Sequence, residues 1–156
     1  MPQRPERNPQ TPKPELEGHP NAIAEFVFDG SCGFCTRFAL WLARLDRHGR
    51  LHITPWQAPG TLERTGLSRA QVSSAAWLVV DGKPLRAAAA INRALSIASG
   101  WNGFEHVYGW PLIGRAQEFA YGWIAGHRHQ FRGVKPLCAR PGSSCLEPGT
   151  GDSLGS

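Results

Sequence analysis

Cys32 and Cys35 stand three residues apart in the stretch Asp29-Gly30-Ser31-Cys32-Gly33-Phe34-Cys35. A strand-like apolar run, Ala24-Glu25-Phe26-Val27-Phe28, leads into it, and a helix-like run begins near Thr36. Two cysteines at this spacing, where a strand hands over to a helix, have the geometry of dithiol–disulfide exchange. The attacking species in that chemistry is a thiolate, and an ordinary cysteine ionises only near pH 8.5 or so. A helix N-terminus, with its unpaired N–H groups and positive dipole end, lowers that value. Cys32 is placed to receive this help. Cys35, one turn on, lies on the same helical face within disulfide reach.

The expected cycle has Cys32 as nucleophile and Cys35 as resolving thiol. Cys32 attacks a substrate disulfide, Cys35 attacks the mixed disulfide, and reduced substrate leaves. The substrate is a disulfide-containing protein or small molecule, and an external dithiol reductant restores the pair. No bound cofactor is needed. Asp29, three residues before Cys32, has two readings: a proton shuttle during exchange, or an Asp-Gly turn whose carboxylate accepts loop N–H bonds. An ionised carboxylate beside Cys32 opposes the helix effect.

Cys138 and Cys145 are the other two cysteines. Together with Cys32 and Cys35 they make a four-thiolate zinc or partner-binding module the alternative function, although their C-x6-C spacing is wider than a short knuckle. They are otherwise a second redox pair or, in the plainest reading, free cysteines of a tail.

The elements that must hold Cys32 and Cys35 follow from pattern. Residues 24–28 read as a buried strand. Phe34, Phe38, Trp41, Leu42 and Leu45 recur on one helical face, with Gly49 as a stop. Residues 51–54 alternate as a strand ended by Pro55, and Ser68 caps a short helix to residue 73. Residues 75–80 form another strand. Asp81-Gly82 is a hairpin turn into residues 83–86, where Pro84 marks an edge strand. An Ala-rich helix over 87–99 is closed by Gly100. A last helix over 114–127 turns Phe119, Ala120, Trp123 and Ile124 inward. The order implies an α/β, thioredoxin-like fold: a mixed four-stranded sheet with helices on both faces and an extra C-terminal helix. Trp101, Trp110, Tyr121 and Trp123 read as core aromatics, and His127 with His129 as cations at a helix C-terminus.

Within 156 residues, one domain over residues 21–132 is expected. A Pro-rich disordered leader (1–20) precedes it and a flexible Gly/Pro/Ser-rich tail (133–156) follows. The 17 Lys and Arg exceed the 12 Asp and Glu, giving a net charge of +5. They form no run, so nucleic acid is not an expected partner. No apolar stretch is long enough for a membrane span or a signal peptide, and a cytoplasmic, reducing location follows as an expectation.

The Asp29-Gly30-Ser31-Cys32-Gly33-Phe34-Cys35 motif after a Phe-Val-Phe strand resembles the DCC family of thiol-disulfide oxidoreductases, named for its Asp-x-x-Cys-x-x-Cys signature. Arg50-Leu51-His52-Ile53 with Ala58-Pro59-Gly60 is similar to that family's second strand and loop. Tyr121-Gly122-Trp123-Ile124-Ala125-Gly126-His127-Arg128 is similar to its C-terminal aromatic-basic helix. The resemblance implies a thioredoxin-like fold with Asp29, Cys32 and Cys35 as the functional positions. One departure from thioredoxins proper stands out. Where they carry a cis-proline facing the CxxC, this chain has Ser73-Ser74-Ala75-Ala76.

Overall fold

A computed structural model describes residues 22–145 apart from residues 129, 132 and 144. The leader expected over residues 1–20, His129 and the tail beyond Cys145 lie outside the described residues.

The sheet has four strands in the order β2-β1-β3-β4: β1 Ala24–Phe28, β2 Leu51–Pro55, β3 Trp77–Val80 and β4 Lys83–Arg86. β1 runs parallel to β2 and antiparallel to β3, so the sheet is mixed. Being central, β1 is flanked by strands on both edges and buries Phe26, Val27 and Phe28 on alternate faces, which is why those three read as an apolar run. Phe26 and Phe28 pack with Ala39 and Leu42 of α1 (Gly33–Leu45) and with Ala90, Ala94 and Ile97 of α4 (Ala87–Ser99). Val27 turns the other way, to Leu67, Trp77 and Val72, the last on α3 (Arg69–Ser74). Helices therefore cover both faces, and the fold is the thioredoxin-like α/β arrangement.

The local signals act as their chemistry requires. Ser68 caps α3 through a capping box with Gln71. Asp81 (φ 49°) and Gly82 (φ 73°) turn β3 into β4 with both central residues left-handed, the conformation that Asp-Gly favours in a tight hairpin. Pro84 lies on β4, the sheet edge, where a missing N–H is tolerated. Two short helices carry no sequence periodicity and are additions: α2 (Thr61–Thr65), bounded by left-handed Gly60 and Gly66, and α5 (Gly103–Tyr108).

Three expectations are corrected. β3 starts at Trp77 rather than at residue 75, because the Ala76 N–H donates to the Tyr121 hydroxyl (2.7 Å) and not to a strand. The last helix, α6 (Pro111–His127), does not turn Phe119, Ala120 and Trp123 inward. Phe119 is 78% and Trp123 54% exposed. α6 meets α4 through Gln117, which accepts from Asn92 (2.7 Å), and places Tyr121, Ile124 and Arg128 on its inner face. Trp101 and Trp110 are likewise exposed rather than core, as is Trp41 on the outer side of α1.

Candidate active site

The strand-to-helix junction sets the two thiols apart. Cys32 is the N-cap of α1, in extended conformation, and its sulfur accepts the Cys35 backbone N–H at 3.2 Å. The Cys35 thiol donates to the same sulfur, holding the Cys32 thiol down at about 6. Burial works against this, while the Cys35 N–H and the Arg128 guanidinium add to it and Asp29 subtracts. The Cys35 thiol is pushed far up, first because it is the donor in that bond and then by burial. At neutral pH one sulfur is thus an anion and its neighbour a protonated donor. That division is what nucleophilic attack followed by resolution requires.

Asp29 is a loop organiser with a cation. Its Oδ1 accepts the Ser31 N–H (3.0 Å), the Asx turn that Asp-Gly permits. Gln57 donates to the same oxygen (2.8 Å) and to Ser31 Oγ (3.0 Å), and its Oε1 accepts the Gly30 N–H (3.0 Å). The other carboxylate oxygen lies 3.5 Å from Arg128. The loop-acceptor reading of Asp29 therefore has visible partners. Arg128 also donates to the Ser73 carbonyl (3.2 Å), so it ties α6, the motif loop and the segment before β3 together.

Opposite the motif, Ala75 and Ala76 stand where thioredoxins carry the cis-proline, and no cis peptide occurs among the described residues. Between that wall and the motif lies an apolar cavity of about 200 Å³, bounded by Phe28, Phe34, Ile91 and Ile124 with Tyr121 and Arg128 at its polar side. The thiol that faces it is Cys35. Burial raises the Tyr121 hydroxyl above its ordinary value, and its bond from Ala76 pulls the other way.

A family model for DCC1-like thiol-disulfide oxidoreductases matches residues 26–134. The chain belongs to this family. Neither the curated proteins nor the solved structures give a match. Membership gives the DCC1-like domain a redox role, and the matched span includes the whole Asp29-to-Cys35 motif. It also includes Tyr121 and Arg128, whose helix carries part of the resemblance but which residue chemistry alone does not assign to the site. Their signal was the aromatic-basic pattern near the end of α6. Gln57, just after β2, gave no signal beyond its position beside Ala58-Pro59-Gly60.

The remaining two cysteines are placed differently from the zinc alternative. Cys138 and Cys145 are bonded to each other across a sequence separation of 7. They are neither free nor joined to Cys32 and Cys35 in a four-thiolate set. Among the described residues no three His, Cys, Asp or Glu side chains are gathered so as to hold a metal. The chain from Gly133, expected as the start of a tail, returns to the motif. Leu137 packs on the main core, and its N–H donates to Thr36 Oγ1 (3.1 Å). The Cys138 N–H donates to the Gly30 carbonyl (3.0 Å). Gly33 and Gly133 lie backbone to backbone, with the Val134 carbonyl over Gly33. We refer to residues 133–143, together with Cys145, as the strap.

Two expected outcomes arise here. Arg128→Gln removes the cation that favours the Cys32 thiolate and leaves Asp29 to oppose it, so the pH midpoint of Cys32 alkylation rises, by up to about one unit. A midpoint that stays or falls contradicts this assignment. Gly33→Ala puts a methyl group into the Val134 carbonyl, displacing the strap and costing about 1–3 kcal/mol of stability. Thermal unfolding reads the cost, and faster labelling of Cys32 by a bulky maleimide reads the displacement.

Proposed function

We propose that this protein reduces disulfides by dithiol exchange, with Cys32 as nucleophile, Cys35 as resolving thiol and Asp29 as the organiser of the motif loop. The observation that carries the reading is the Cys32 sulfur capping α1 with both the backbone N–H and the thiol of Cys35 directed at it. Two donors on one sulfur stabilise the thiolate and leave the resolving thiol protonated until the mixed disulfide forms. At that moment the acceptor is gone, and Cys35 can ionise and attack. Arg128, near both thiols, favours the anion at each stage.

A stabilised thiolate is also a good leaving group and stabilises the reduced pair. The potential of Cys32–Cys35 is therefore expected above the thioredoxin value of about −270 mV, and turnover as a reductase relies on a continuous supply of external dithiol. A cytoplasmic location supplies such reductants. No helix among the described residues is long and apolar enough to cross a membrane.

The test is a disulfide-reduction assay with a dithiol reductant on wild type, Cys32→Ser and Cys35→Ser. The proposal expects turnover in wild type alone. Equal activity in all three proteins would sink it.

A further inference from the structure

We infer that Cys138–Cys145 is a second redox couple of this protein, held at the motif to exchange with Cys32–Cys35 and to carry electrons between it and disulfides outside. The inference rests on the exchange chemistry proposed above, and it names the first disulfide that Cys32 meets.

Three placements carry it. The strap delivers Cys138 to the motif loop. Its N–H is bonded to the Gly30 carbonyl, and its sulfur lies so close to Gly30 that a Cβ there would stand 2.6 Å away. Gly30 is two residues before Cys32.

Next, Cys32 is only 2% exposed. The strap lies against residues on both sides of it, meeting Gly30 before it and Gly33 and Thr36 after it. A folded protein substrate has no approach to that sulfur while the strap is seated.

The third placement is the complement of the second. Cys138 and Cys145 are partly exposed and line an open groove of about 910 Å³ with Ser31, Trp56 and Gln57. One side of the motif loop thus holds a reactive sulfur that is covered, and the other an accessible disulfide. Joining them gives the covered thiolate a route to large partners. The Cys35 cavity remains an entrance for a small dithiol reductant.

The exchange balances within the chain. The Cys32 thiolate attacks the Cys138 sulfur, forming Cys32–Cys138 and breaking Cys138–Cys145, and Cys145 leaves as a thiolate. Cys35 gives up its proton and attacks Cys32, forming Cys32–Cys35 and releasing Cys138 as a thiolate. The Cys35 proton goes to one of the strap thiolates. Two electrons have moved outward: one dithiol is oxidised and one disulfide reduced. The strap dithiol then reduces a partner's disulfide by the same two steps. To bring the sulfurs together the strap must advance along the motif by the Gly30-to-Cys32 offset, at most about 7 Å of chain.

The experiment uses the full chain as Cys35→Ser/Cys145→Ser, which leaves Cys32 and Cys138, with Cys35→Ser/Cys138→Ser as its companion. Each is oxidised at low concentration with a small disulfide, blocked with a maleimide, digested without reductant and mapped by mass spectrometry. An intramolecular Cys32–Cys138 disulfide is expected as the main product of the first variant. No cross-link from Cys32 to the strap in either variant overturns the proposal. In parallel, Cys138→Ser/Cys145→Ser is expected to turn over insulin disulfides at least about tenfold more slowly than wild type. Turnover equal to wild type overturns it as well. A cross-link in the first variant beside a wild type that reduces no disulfide would reject the catalytic reading and not the pairing of the two couples.

Discussion

Cys32→Ser lowers disulfide turnover by at least about 10³-fold, the scale expected when a covalent nucleophile is removed and only positioning is left. The serine hydroxyl can still cap α1, because an N-cap needs an oxygen or sulfur acceptor for the N–H that Cys35 presents. Below about pH 6, where Cys32 is protonated, stability is therefore expected to change little, while activity at neutral pH collapses. That separation distinguishes a nucleophile from a structural cysteine. A variant that loses stability and activity in step would place Cys32 in the scaffold. Steady-state turnover of a disulfide substrate, together with a thermal unfolding curve, reads both quantities.

The second large effect is on ionisation. Cys35→Ala deletes the thiol that donates to Cys32, the largest of the influences holding Cys32 at about 6. The backbone N–H of residue 35 and Arg128 remain. The Cys32 midpoint is expected to climb by about one to two units, toward the ordinary thiol value near 8.5. The midpoint is the quantity to follow, and not the rate at one pH, because a more basic thiolate is also a better nucleophile and partly hides the loss of ionised fraction. Alkylation of Cys32 between pH 4 and 10 gives the curve. An unmoved midpoint would mean that the helix terminus, and not the neighbouring thiol, sets the charge.

The same shifts set the pH dependence of stability in the reduced chain. Cys32 is depressed in the folded state. Its contribution is complete above the unfolded value near 8.5 and is lost as pH falls through about 6. Cys35 is raised, so its contribution is present below the ordinary thiol value and fades as pH climbs above it. The reduced chain is expected to be most stable just below the ordinary thiol value. Once Cys32–Cys35 is oxidised neither group titrates, and this dependence disappears.

What the sequence made legible was local. The CxxC at a strand end, the Asp-Gly turn, the Ser68 cap and the edge position of Pro84 each follow from backbone rules that act over a few residues. All of them stand in the structure. The central place of β1 is consistent with the same kind of signal, because Phe26-Val27-Phe28 is an apolar run buried on both faces.

The rest of the site was set at long range. Tyr121 reaches Ala76 and Arg128 reaches Ser73, across 45 and 55 residues. Leu137 reaches Thr36 across 101. No window of sequence registers such contacts. The aromatic residues of α6 misled for a related reason. Beside Ile124, its inner face carries Gln117 and Tyr121, with Arg128 at the C-cap, and these polar groups bond to neighbours, so apolar character alone does not mark the inner side. Cysteine spacing could not say which pair bonds, since four cysteines allow three pairings.

The most direct test of the central claim is to map the adduct formed when Cys35→Ser is mixed with a disulfide substrate at pH 7. Without a resolving thiol the first covalent product should persist. The account predicts that Cys32 is engaged stoichiometrically in one disulfide, with the substrate or with Cys138, released by dithiol reductant. A Cys32 that stays a free thiol would contradict it.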